Sequence, residues 1–270
     1  MYHHIAPNPD PRKRNLTIRP DTFQGHMLYL SRRGYRTLTS QELLRYIEGN
    51  LVLDRKTVLV TMDDGYADNY VHALPVLKKY GINAVVFLIT NRTEKASQKN
   101  GAVNVSMMQD EAASLGSQEE KEIYLKWELV NDMAASRLVE FHSHTANHVL
   151  CSDIRMADLI TELRDSKEII EKELGKPCEC LCWPYGAYSK EAVEAAKSVG
   201  YKAIFTANPG VVRRYSDPLC INRLKITDGI FMLKVKMTCT NPYLSELFFT
   251  IRGFLVACKR WLRRGVSKNQ

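Results

Sequence analysis

The sequence predicts an α/β fold of the parallel, barrel-like kind. Three observations predict it. Short apolar runs alternate with amphipathic stretches of helical period. Three of the helical stretches stop at a glycine, at Gly81, Gly175 and Gly200. Polar clusters fall at the carboxyl ends of the apolar runs, where (β/α) barrels collect their reactive groups.

The elements follow in order. Val58–Thr61 is an apolar run of strand type, and Asp63-Asp64-Gly65 turns the chain after it. Residues 68–80 suit a helix with Ala73, Leu74, Leu77 and Tyr80 on one side. Ala84–Ile89 is the next strand. Residues 91–122 are polar and read as a long, partly ordered insertion. Leu125–Ala135 is helical, and Val139–Ser143 is a strand running into a histidine cluster. Ala157–Leu174 is a long amphipathic helix, stopped at Gly175 and Pro177. Cys180–Trp183 is a strand, Lys190–Val199 a helix and Ala203–Ala207 a strand. Strand followed by helix, repeated, is the pattern of a parallel sheet.

The pattern changes near Asp228. Leu244–Leu262 carries Phe248, Ile251, Leu255 and Leu262 at helical spacing, with Arg252, Lys259 and Arg263 opposite. Glu246 and Arg252 interrupt it, so it does not suit a membrane-spanning helix. Residues 1–227 therefore read as one domain, and 228–270 as a basic amphipathic C-terminal extension. Trp261 beside Arg260, Arg263 and Arg264 suits peripheral contact with a membrane through residues 244–264. A terminal helix packed on the domain is the plainer alternative.

Bulk numbers bound the function. The 270 residues make one large α/β domain or two small ones, and the 45% hydrophobic content fills a core. The net charge of +8 is uneven: no acid follows Arg252, and acids gather between Asp110 and Glu122. The basic end lacks interleaved stacking aromatics, so nucleic acid is not expected as a partner. Seven cysteines, an odd count without the spacing of a small secreted domain, lean to a reducing compartment. Met1-Tyr2-His3-His4 does not open like a signal peptide, although an upstream segment would change that reading. The expected location is cytoplasmic, or peripheral on the membrane.

The chemistry lies in two clusters. Thr61-Met62-Asp63-Asp64-Gly65 ends an apolar strand, and His144-Thr145-Ala146-Asn147-His148 carries two histidines four apart. Imidazole nitrogen and carboxylate oxygen are ligands for a zinc-type divalent metal, and a hydrolase keeps one coordination position open. One aspartate suffices as a ligand, and the other is free to take a proton from water. Alone, Asp63-Asp64-Gly65 is an ordinary turn. Together with His144 and His148 it points to metal-assisted hydrolysis. His142 alternates with His144 and can face the same way. Cys178, Cys180 and Cys182 are expected on one face of a strand, where buried thiols behaving as small apolar groups fit better than a metal cluster.

These residues resemble the polysaccharide deacetylases of the NodB-homology type, carbohydrate esterase family 4, over roughly residues 1–227. Residues 61–65 match the first motif, TFDDG, with Met62 for Phe. Residues 144–148 match the second, H-[ST]-x-x-H. Cys182-Trp183-Pro184-Tyr185 matches the third, R-x-P-Y, with Cys182 in place of the arginine. The resemblance implies a distorted (β/α)7-type barrel. It implies Asp63 as general base, and Asp64, His144 and His148 as ligands of a divalent metal, zinc first, with nickel, cobalt or iron as alternatives. It further implies that the Tyr185 backbone N–H faces the oxyanion and that Trp183 and Pro184 shape the acetyl pocket.

The family's usual acid histidine near the C-terminus is missing, since Leu219-Cys220-Ile221-Asn222-Arg223 holds none. The fourth motif is not evident either. Tyr2-His3-His4 instead resembles the poly-N-acetylglucosamine deacetylase subgroup, which implies His3 as the acid. That subgroup also lacks the third-motif arginine, which normally orients and tunes the base. Trp127 resembles the aromatic that begins the helix before the second motif, or is simply core. The implied activity is removal of N-acetyl groups from amino sugars of a polysaccharide or a lipid-linked glycan. A deformylase of a lipid-carried sugar is a relative within this chemistry, and an inactive carbohydrate-binding protein is the alternative from another class.

Overall fold

The computed structural model describes residues 1–7, 13, 15–98, 124–227 and 229–240. Five parallel strands make the main sheet: β5 (Val60–Met62), β6 (Ala84–Leu88), β7 (Val139–Ser143), β8 (Cys180–Cys182) and β9 (Ala203–Phe205), paired in that order. Two short parallel pairs precede it. β1 (His4–Ile5) pairs with β2 (Thr17–Ile18), and β3 (Arg36–Thr37) with β4 (Thr57–Val58). The described helices are α1 (Pro20–Arg32), α2 (Ser40–Ile47), α3 (Leu74–Tyr80), α4 (Thr90–Gln98), α5 (Trp127–Ala135), α6 (Met156–Leu174), α7 (Lys190–Val199) and α8 (Ile230–Thr238).

The sheet is buried on both faces, as parallel strands flanked by helices must be. All five residues of β6 are buried, and they alternate between two cores. Ala84, Val86 and Leu88 face the outer helices, with Leu77, Val130 and Leu163. Val85 and Phe87 face inward, with Phe205, Cys180 and Cys182. Leu43, Leu44 and Ile47 of α2 pack into this inner core and plug the barrel. A Thr39–Glu42 capping box starts α2, a device that contributes about 1 kcal/mol.

The sheet curls into a half-barrel, the distorted barrel expected from the sequence. Its two edges are extended by single bridges. Tyr2 pairs with Met62 beside β5, and Ile221 pairs with Phe205 beside β9. Between these edges lies a seam that two backbone bonds of the first residue close: the Met1 amine donates to the Leu224 carbonyl at 2.8 Å, and the Ile226 N–H donates to the Met1 carbonyl at 3.0 Å. Arg223 also spans the seam: its Nε donates to the Thr206 carbonyl at 2.8 Å, and its Nη1 reaches Thr61 Oγ1 at 3.2 Å. A buried cation thus fastens one sheet edge to the other.

Several local readings need correction. The single strand expected over Val58–Thr61 is two strands with different partners, which change at Leu59. The helix expected over residues 68–80 begins as a π-helical turn, Asn69–Ala73, before α3. Pro75 explains this: it offers no N–H and its ring crowds the carbonyl four residues back. The Leu74 N–H accordingly reaches Asn69 O, one residue further than in an α-helix. The insertion read from residue 91 starts as α4, and residues 99–123 lie outside the described ones. The three thiols do not share a face. Cys178 precedes β8 and joins the outer core, while Cys180 and Cys182 point inward.

Residues 1–57, given no elements from the sequence, hold β1 to β3, α1, α2 and the start of β4. After the seam, α8 packs on α1 and buries Leu233. Among the described residues, no helix is long and apolar enough to cross a membrane. The amphipathic stretch Leu244–Leu262 lies outside them.

Candidate active site

The carboxyl ends of β5, β7 and β8 meet on one side of the barrel. The backbone there is unusual. Asp64, Thr145, His148 and Tyr185 all have positive φ, at 75°, 63°, 60° and 58°. Non-glycine residues in that region cost of order 1 kcal/mol or more each and gather at functional sites. Gly65 follows at φ 71°, where a Cβ would be strained and would meet Leu88 Cδ2 at 2.7 Å, so glycine suits the turn.

That turn presents Asp64 to two imidazoles. Asp64 Oδ1 lies 3.3 Å from His144 Nε2 and 3.3 Å from His148 Nε2. Asp64 Oδ1 is buried and makes no hydrogen bond. His144 donates from Nδ1 to the Cys182 carbonyl at 2.7 Å, which fixes its orientation and leaves Nε2 as a lone-pair donor toward Asp64. The Thr145 hydroxyl accepts from the His148 N–H at 3.0 Å and holds the second imidazole. Burial disfavours charge on Asp64, but the His144 and His148 imidazoles beside it hold its carboxyl well below the usual range. Two nitrogens and one orphaned carboxylate oxygen converging on one point fit a divalent cation of the zinc type.

Asp63 is held differently. It is buried, and Arg223 grips it with two parallel bonds, Nη1 to Oδ1 at 2.7 Å and Nη2 to Oδ2 at 2.8 Å. Burial alone would raise its pKa; the guanidinium outweighs this and brings it to about 2. Asp63 is therefore anionic throughout the neutral range. Cys182 Sγ lies 3.0 Å from Arg223 Nη2, so the thiol sits beside the head group that reaches Asp63.

The groups beside Asp63 are Arg223, the Cys182 thiol and His3. Nothing local marks Arg223, which stands 160 residues from Asp63. The usable signal was indirect: a buried catalytic carboxylate needs a cation, and the third motif offered none.

His3 faces Asp63 from the chain segment paired beside β5, with Nε2 3.8 Å from Oδ2. Burial pulls its pKa below the ordinary value. Its backbone is tied down on several sides. The Asn69 amide donates to the His3 carbonyl at 2.9 Å, and neighbouring Tyr2 exchanges backbone bonds with Thr61 and Asp63. His4 points away from His3, bonds Asp68 at 2.7 Å and stacks on Tyr66 with ring centroids 3.5 Å apart.

The third-motif residues divide. Tyr185 is 70% exposed, and its ring lies 4.5 Å from that of His148, at the lip of the metal cluster. Pro184 is buried at the start of a tight turn. The Trp183 indole is buried in the outer core and stacked on Tyr188. His142 stands deeper in the barrel than His144; its Nε2 meets Ser40 Oγ at 3.1 Å, and burial pushes its pKa to about 4. It is not in the metal cluster. Trp127 is buried at the start of α5, with its indole N–H on Glu94.

This geometry joins the first, second and third motifs at one place. The sequence model of the polysaccharide deacetylases matches residues 51–204, more than half of the chain. The chain belongs to the polysaccharide deacetylase family.

Individual relatives agree. YxkH of Bacillus subtilis, named as a polysaccharide deacetylase, is 28% identical over 230 residues, covering 85% of this chain and 71% of YxkH. The poly-β-1,6-N-acetyl-D-glucosamine N-deacetylase of Escherichia coli is 22% identical over 226 residues, 74% of this chain. The match spans only 32% of that longer protein. Among solved structures, the Streptococcus pyogenes deacetylase PplD in complex with acetate superposes with a TM-score of 0.70. Its identity is 27%, over 84% of this chain and 90% of PplD.

Proposed function

We propose that this polysaccharide deacetylase is a metal-dependent hydrolase that removes N-acetyl groups from amino sugars of a glycan. One observation carries the reading: Asp64, His144 and His148 aim three donor atoms at one point, beside an aspartate clamped as an anion. Acetate bound to PplD is the product such chemistry would release. Zinc suits the donor set best, and nickel, cobalt or iron would also be held by it.

Asp64, His144 and His148 hold the ion. When bound, a divalent ion supplies Lewis acidity and lowers the pKa of water in the site. Asp63 accepts the proton of the attacking water. Its two bonds to Arg223 aim the carboxylate and keep it ionised. The Tyr185 N–H, turned by its positive φ, faces the oxygen that becomes negative. His3 carries a proton to the departing amine. It stands 3.8 Å from Asp63, close enough to take up the proton drawn from water and pass it on. Arg223 also supports activity over the inactive carbohydrate-binding alternative, because the base does have its arginine.

The reading assigns catalysis to residues 1–227. It leaves residues 244–264 of the C-terminal extension for peripheral contact with a membrane surface, from a cytoplasmic or peripheral location. The test is acetate release from a poly-β-1,6-N-acetylglucosamine oligomer by the zinc-loaded chain, with and without a chelator. Release that stops with chelator and returns with metal is expected. Release that chelator leaves unchanged refutes the metal role. No release with any of the four metals refutes the substrate.

A further inference from the structure

A second concavity lies along the seam, among β4, α1, the segment 210–226 and α8, with a volume of about 1000 Å³. That is at the upper end for small-molecule sites. Its wall is apolar, built by Leu30, Val58, Leu224, Ile226, Leu233 and Met237. Its titratable lining is one-sided: Arg33, Arg55, Lys56, Arg213 and Arg214 are exposed at its rim, and no aspartate or glutamate lines it. Tyrosines stand under part of that rim, with Arg33 over the Tyr29 ring and Lys56 over the Tyr35 ring, each at 5.9 Å.

An apolar channel edged only by cations is complementary to a molecule with a hydrocarbon body and a negative head. A soluble anion would leave the apolar wall unused, and a neutral lipid would leave the rim unused. The helix that borders the groove points to the source. On α8, Ile230, Phe231 and Met232 are exposed, Phe231 by 72%, while Leu233 and Met237 line the groove. Adjacent exposed apolar side chains on a helix bearing Lys234 suit a bilayer surface.

We propose that this groove binds the hydrocarbon chain of an anionic lipid, with the headgroup at Arg33, Arg55 and Lys56. It does not rest on the deacetylase reading. The groove is lined by Val58 to Thr61 and also by the buried Arg223 that holds Asp63, whereas its rim cations Arg33, Arg55 and Lys56 take no part in the site at the strand ends.

The test is calorimetric titration of the full-length chain with three probes below micelle-forming concentrations. Dodecyl phosphate should bind, while dodecyl maltoside should bind far more weakly and inorganic phosphate not measurably. Replacing two exposed rim cations, Arg55→Ser with Lys56→Ser, should weaken dodecyl phosphate roughly thirtyfold, at the strength expected for two cations near an anionic lipid. Met237→Trp, which fills the groove, should abolish binding while leaving the rim intact. Acetate release should be unchanged in the rim variant, so loss of lipid binding and loss of hydrolysis are separately visible. Equal binding of the maltoside, phosphate binding as tight as the dodecyl ester, unchanged binding by the rim variant, or no binding of dodecyl phosphate would each overturn the proposal.

Discussion

The wall of the barrel from Thr57 to Phe205 and the seam that closes it bring different chemistry to the same site. The wall supplies the three donor atoms, each at the end of a strand or in the turn just after it. The seam supplies His3 and Arg223, the two groups that address Asp63. Gripping a cation needs rigid backbone, which a parallel ladder provides. Managing a proton needs side chains that reach the carboxylate from outside the ladder. On the proposed reading, the difference teaches that metal binding and proton handling stand on separate parts of the fold and should fail separately.

The sharpest break is on the wall. His144→Ala removes a ligand, so bound zinc should be lost and kcat/KM should fall by at least about 10⁴-fold, because water activation and oxyanion stabilisation go together. Metal content by mass spectrometry, alongside acetate release, checks this. A variant that keeps its zinc and its rate would dissolve the comparison.

On the seam, Arg223→Met leaves a buried carboxylate without its cation. It should cost about 3–5 kcal/mol of stability, read from urea melts, with bound zinc unchanged in the fraction that stays folded. Adding Asp63→Asn should recover much of that loss. If the double variant is no more stable than the single, the pair is not the clamp described here.

His3→Ala should lower kcat by about 10²–10³-fold without touching zinc content, the usual size for a general acid. Equal losses of rate and metal would place His3 with the wall instead.

The smallest effect is a pH dependence. Asp63 has a folded pKa of about 2 against an unfolded value of 3.8. A depressed carboxyl stabilises the fold above the unfolded value and loses that contribution as pH falls through about 4 to 2. The loss should be about 2 kcal/mol in wild type, and Asp63→Asn should not show it. Urea midpoints at pH 5, 4 and 3 distinguish the two.

The same division explains what the sequence could tell. The wall was legible because its strands are apolar runs between glycine-stopped helices, and because Asp63-Asp64 and His144…His148 are compact in sequence. β7 and α7 match the expected residues at both ends. The seam was not legible. Its strands are two residues long or single bridges, too short for any period. His3 was reached only through a resemblance, and Arg223 not at all, since a contact across 160 residues leaves no local trace. The switch of partner at Leu59 was hidden because one apolar run serves two sheets. The π turn was written in Pro75, whose missing donor the helical pattern overlooked.

Arg223 has a consequence for how the molecule is made. A ribosome releases Asp63 160 residues before Arg223, and the last strand of the parallel ladder also emerges before it. Until then the aspartate has no counter-ion within the barrel, and water must stay there to solvate it. Drying of that interior and poising of the base are therefore one late event. A chain that ends just after Phe205 can have its strands aligned and still lack the cation that poises Asp63.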